Sequence, residues 1–259
     1  MGKSWTGLLI AFQFFTIIPI RKNFPLDDKR LAGAVASLPL VGAFIGGVGS
    51  LILWLLHTFT DLSPLFMSLL FFFSFFVMTG GIHLDGWVDM SDGYFSYRER
   101  SRRLEIMKDP RVGTFGVVSL LFLLAFKWVF SYEIIEDLSN DTLLLFALVP
   151  FLSRLVMGGI LLHSPLAKNE GLAALFQQAA SKTIWIYYGI YLFLFVLVIT
   201  LTSVNLIVPI AFLFVGSVVC FVGFYNFCKR AFGGITGDTL GATVEGTEAL
   251  LWMIIWLLH

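Results

Sequence analysis

Apolar residues run along this chain in long blocks separated by short polar connections. After a first stretch from Trp5 to Ile20, the blocks extend from Leu31 to Leu56, Leu65 to Leu84, Val112 to Tyr132, Thr142 to His163, Thr183 to Thr202, Leu206 to Phe227 and Leu240 to Leu258. A helix rises about 1.5 Å per residue and a hydrocarbon core needs about 20 residues, so each of these seven can span a bilayer. The first stretch is marginal in length, which predicts an interfacial or re-entrant helix. No small-residue cleavage site follows it, so a cleaved signal peptide is not expected. The pattern predicts an all-α, polytopic helical bundle: one integral membrane domain over residues 1–259.

Composition agrees. Hydrophobic residues make up 58% and charged residues 13% of 259, about half the charged share of an ordinary soluble domain. Net charge is formally zero, which gives no reason to expect a nucleic-acid partner. Cys220 and Cys228, eight residues apart in one apolar block, are two helical turns apart and read as packing residues.

Charge placement sets orientation. Lys and Arg crowd the connections 21–30 and 85–111 and recur near 168, 182, 229 and 230, whereas 57–64, 133–141 and 203–205 have none. Cytoplasmic connections carry the basic excess, so the connection 21–30 is expected inside a bacterial-type plasma membrane and His259 outside. Glu133, Glu136, Asp137 and Asp141 then form a solvated outer connection. Lys127 lies near the outer end of its block, where snorkelling predicts no special role. Arg154 sits in mid-block and calls for an anion, either a structural partner or a substrate phosphate.

The candidate chemistry lies at the inner edge. Asp85, Asp89 and Asp92, spaced four and three apart, share one face of a helix. Three like charges repel, and a hard divalent cation relieves that repulsion; Mg²⁺, with Mn²⁺ as substitute, binds through a few carboxylates and substrate phosphates. His83 precedes them and could act as a base. Downstream, Lys108, Asp109 and Arg111 lead into Gly113 and a helix start, a favourable place for phosphate. Arg98 to Arg103 form a basic stretch suited to anionic lipid headgroups. In the last block Asp238 and Glu245 share a face, and Glu248 lies about two turns deep, as ligand, proton acceptor or partner for Arg154.

The runs GGIHLDGWVDMSDG, RRLEIMKDPRVGTFG and GGITGDTLGATVEGTE resemble the cobalamin synthase family, the adenosylcobinamide-GDP ribazoletransferases. AFQFFTIIPI and SLPLVGAFIG extend the resemblance over nearly the whole chain. It implies transfer of the cobinamide phosphate of adenosylcobinamide-GDP to a ribose hydroxyl of α-ribazole or its 5′-phosphate, with release of GMP, from the cytoplasmic face. By that resemblance Asp85, Asp89 and Asp92 hold the metal, and Asp92, Asp238 and His83 are the catalytic candidates. Arg103, Lys108, Arg111, Arg154, Thr236, Glu245 and Glu248 are the expected substrate contacts. The family's basic residue before an EGL triplet is Lys168 here, and lysine lacks the bidentate fork of arginine. A CDP-alcohol phosphotransferase would share the chemistry but lacks its alanine-arginine signature here; a cation or proton-coupled transporter would need carboxylates near mid-membrane and an inverted repeat. Membrane lipid surrounds the bundle, and oligomeric state is not legible.

Overall fold

The computed structural model describes residues 3–259, with side chains from residue 5 onward. Its helices are α1 (Lys3–Phe15), α2 (Asp28–Ala36), α3 (Leu38–Phe59), α4 (Pro64–Thr79), α5 (Ile82–Phe95), α6 (Arg100–Ile106), α7 (Thr114–Glu136), α8 (Asn140–His163), α9 (Leu172–Ala179), α10 (Ile184–Thr202), α11 (Ile207–Phe232) and α12 (Gly237–Leu258). Among the described residues six segments are long and apolar enough to cross a membrane, and α4 with α5 makes a seventh only as a bent pair. The protein is an integral membrane helical bundle.

Two of the expected blocks are broken, each for a local reason. The block from Leu31 splits at Ser37 because Pro39, in the first turn of α3, has no N–H to give the Val35 carbonyl and its ring crowds that carbonyl, which interrupts the ladder between the two helices. The block from Leu65 turns through 88° between α4 and α5. Gly80 and Gly81 make that turn with φ of 64° and 75°, backbone conformations that side chains other than glycine rarely adopt. The aspartate helix is thereby swung sideways out of the span that precedes it.

At the centre, α8 is the most buried span. It lies against α3 along Gly42, Gly46 and Ser50, where a Cβ on either glycine would collide with the α8 backbone at Pro150 or Ala147 and the Ser50 hydroxyl donates to the Leu143 carbonyl at 2.9 Å. Small residues every fourth position allow this approach where lipid supplies no hydrophobic drive. Phe71, Phe146 and Trp252 fill one half of the core. Cys220 and Cys228 are buried and unpaired with each other, in keeping with a packing role.

At the other end, the connection after α8 is tied to the one before α12. Ile235 donates to the Pro165 carbonyl at 2.8 Å and Ala167 donates to the Ile235 carbonyl at 3.0 Å. Thr236 then caps α12 in a reciprocal box with Thr239. Asp238 thus starts its helix at a fixed place beside the segment that carries Lys168.

Candidate active site

The two acidic motifs meet. α5 packs across the first turn of α12 so closely that a Cβ on Gly86 would lie 2.6 Å from the Asp238 carbonyl oxygen. Asp85, Asp92 and Asp238 all bear electrostatically on Asp89, and Asp85 bears on Asp238. Along the shared face of α5, Asp85 is exposed, Asp89 half-buried and Asp92 buried.

That gradient separates their jobs. Asp92 accepts backbone N–H from Gly113 at 2.7 Å and Gly116 at 2.8 Å, so both its oxygens are bound to the start of α7. It neutralises the positive end of that helix and pins it to α5. Among the described residues no three His, Cys, Asp or Glu side chains form a preformed cage for a metal. The donor set still suits Mg²⁺, which keeps several waters and takes one or two carboxylates plus phosphate oxygens. Asp85, Asp89 and Asp238 offer such carboxylates; Asp92, with both oxygens engaged, does not serve as readily. Asp92→Ala is expected to destabilise the protein by about 1–2 kcal/mol, the usual value of a lost helix cap. Thermal unfolding in detergent would check this.

His83 is 3% exposed, its ring stacks on Phe15 at 6.3 Å, and its Nε2 has no hydrogen-bond partner. It lines a small cavity of about 130 Å³ together with Asp85 and Asp238. Asp238 also lines a second cavity, of about 330 Å³, with Thr236, Lys108 and Lys168. Lys108 donates to Glu170 at 2.7 Å, which raises its pKa, while burial and the neighbouring Lys108 lower that of Lys168. Two ammonium groups beside one cavity favour an anion between them.

The other basic residues are placed differently. Arg103 donates to the Ala231 carbonyl at 3.1 Å and lies over the Tyr94 ring, so it caps the end of α11. Arg111 is exposed and chelates Asp109 through two nitrogens at 2.9 and 2.6 Å. It opens on a surface depression with Arg98, Arg102 and Asp92, apart from the Asp238 cavity. The Arg111 guanidinium, with its backbone N–H, holds the Asp109 carboxyl down to about 2. Any contribution of this pair is present above the ordinary aspartate pKa and is lost as pH falls through about 2. An NMR titration of Asp109 is expected to show that low midpoint, and Arg111→Gln to return it to the usual carboxylate range.

In the membrane interior, Lys127 donates to Glu245 at 2.7 Å and to Glu248 at 2.9 Å, and Arg154 and Ser153 pair with the other Glu248 oxygen. All four charged groups are buried. The snorkelling expected of Lys127 does not occur, because two carboxylates from α12 hold its ammonium inside the bundle. Arg154 has the structural partner that its position demanded, and Glu245 and Glu248 face these cations instead of the two cavities that Asp238 lines. One signal could have revealed Lys127: a lysine well inside one span and two glutamates well inside another.

A profile of the CobS family, cobalamin-5-phosphate synthase, matches residues 7–256. The chain belongs to this family. CobS relatives named adenosylcobinamide-GDP ribazoletransferase include one from Geobacillus kaustophilus (strain HTA426), 41% identical with 100% of this chain and 98% of that protein covered. Others are from Geobacillus sp. (strain WCH70), 39% identical with 100% and 98% covered, and Clostridium botulinum (strain Loch Maree / Type A3), 32% identical with both chains fully covered. No solved structure matches this CobS chain.

Proposed function

We propose that this CobS protein is an adenosylcobinamide-GDP ribazoletransferase whose active site faces the cytoplasm. The observation that carries the reading is the junction of α5 and α12, which brings Asp85 and Asp238 from two distant motifs to the wall of one small cavity. The full-length kinship supplies the substrate class.

In this reading a ribose hydroxyl of α-ribazole, or of its 5′-phosphate, attacks the phosphorus on the cobinamide side of adenosylcobinamide-GDP. The new P–O bond forms as the bond to GMP breaks, leaving cobalamin or its 5′-phosphate. Asp85 and Asp89 would hold Mg²⁺ or Mn²⁺, which when bound neutralises charge on the diphosphate. Lys108 and Lys168, across the cavity from Asp238, balance the phosphate oxygens as charge moves to the leaving group. Asp238 takes the hydroxyl proton, since Asp92 spends its oxygens on α7, and His83 lies in the same cavity as a second acceptor. Exposed Arg98 and Arg102 meet anionic lipid headgroups.

The test is GMP release by purified protein in liposomes supplied with adenosylcobinamide-GDP, α-ribazole and Mg²⁺. Release that requires acceptor and metal together supports the assignment. No release from folded protein with either acceptor form would overturn it.

A further inference from the structure

A third cavity, of about 840 Å³, opens between α4, α5 and α7 and is lined mostly by apolar side chains. Its size falls within the range of about 300–1,000 Å³ typical of small-molecule sites. Phe72, Phe73, Phe76 and Trp128 supply aromatic wall. Its two ends are polar and different: Asp85 stands at one, and Lys127, Arg154, Glu245 and Glu248 at the other.

The ends have a measurable spacing. Asp238 lies against α5 beside Asp85, and Glu245 is seven residues further along α12, a rise of about 10 Å. That is the length of a nucleoside. Asp85 belongs to the walls of both this cavity and the small one that holds His83 and Asp238, so a molecule lying along it would present its sugar to the acidic junction.

The deep end also has donors to offer. An ammonium has three protons, and the hydrogen bonds of Lys127 to Glu245 and Glu248 use two. The centre of the Phe72 ring, itself on the cavity wall, lies 5.2 Å from the lysine nitrogen. The buried Arg154 Nε has no hydrogen-bond partner. A ligand suited to this end is therefore flat, aromatic, uncharged and equipped with an acceptor nitrogen. An anionic group fits poorly, because the two glutamates already balance the two cations.

We propose that this membrane-embedded cavity receives the aromatic base of the acceptor, a neutral fused-ring heterocycle of the benzimidazole type, and leaves its ribose at Asp85 and Asp238. The inference rests on ribazole transfer as proposed above, and it adds a route: the base enters through the apolar side of the bundle while the nucleotide donor stays on the cytoplasmic face. Recognition of the base is then mainly burial between aromatic rings, with one hydrogen bond from the charge cluster fixing its orientation.

The experiment uses a photoreactive azido-benzimidazole riboside on the full protein in liposomes, with label positions mapped by mass spectrometry. Acceptor and donor KM are measured in parallel for the natural chain and for Ala125→Trp, which puts a large ring into the cavity wall. The expected result is labelling of α4 and α7 wall residues that excess α-ribazole abolishes. For Ala125→Trp the acceptor KM should rise about tenfold, a loss of about 1.4 kcal/mol, with the donor KM unchanged. Because the tryptophan could disturb packing, Phe73→Ala, at a lipid-exposed wall position, is labelled as well and should lose most of its label. Labelling elsewhere, or labelling that excess α-ribazole leaves intact as in a mere lipid crevice, overturns the inference. GMP release with label elsewhere sinks the cavity assignment alone; competable label in the cavity without GMP release sinks the transfer reading alone.

Discussion

Asp85→Asn is expected to slow GMP release by a factor of about 100–1,000, the range seen when one preorganised electrostatic partner is removed from a transition state. Asp85 is the exposed end of the α5 face and the carboxylate that lines both the small cavity at the acidic junction and the apolar one. Its carboxylate stands among Asp89 and Asp238, where the charges repel unless a cation lies between them. The amide keeps the shape and removes the charge, so the loss should fall on kcat and on the Mg²⁺ concentration needed. Stability should move the other way: with one like charge gone, the metal-free variant is expected to unfold at the same or a higher temperature than the natural chain. A rate equal to that of the natural chain would remove Asp85 from the site. A lower unfolding temperature would mean that its charge serves the fold.

Much of the bundle was legible because lipid imposes length and composition on anything that crosses it. Every expected span contains a helix, and the break at Pro39 and the turn at Gly80 and Gly81 both carry their cause in the sequence. The acidic motifs were legible as charge at a membrane edge. What the chain does not announce is which side chains meet across helices. Nothing in the spacing of Asp85, Asp89 and Asp92 tells that the last of them closes on the N–H groups of Gly113 and Gly116. Arg103 looks like any phosphate-binding arginine until the end of α11 is seen beneath it. The same holds for Lys127. Its depth in one span predicts snorkelling, whereas its partners lie in α12, more than a hundred residues later.

Lys127→Met is expected to be the most destabilising single change in the membrane interior, by about 3–5 kcal/mol, because it strands buried carboxylates without their shared cation. The natural cluster holds two cations and two anions in one place: Lys127 from α7, Arg154 from α8, and Glu245 and Glu248 from α12. Arg154 remains for Glu248 in the variant, but among the described residues no other cation forms an ion pair with Glu245. The double change Lys127→Met, Glu245→Gln removes one charge of each sign and should recover most of the loss, so the two changes combine far from additively. Chemical or thermal unfolding of the four proteins of that cycle in one detergent would measure the coupling. A Lys127→Met protein as stable as the natural chain would show that α7 and α12 are held by their apolar contacts alone. Strong coupling would have a second meaning, because Asp238 lies in the first turn of α12 and Asp92 binds the first turn of α7 through Gly113 and Gly116. The two helices joined by Lys127 inside the bundle are the two that the α5 aspartates meet at one end of it, so strong coupling would mean that one buried ammonium helps to set the spacing of the acidic junction.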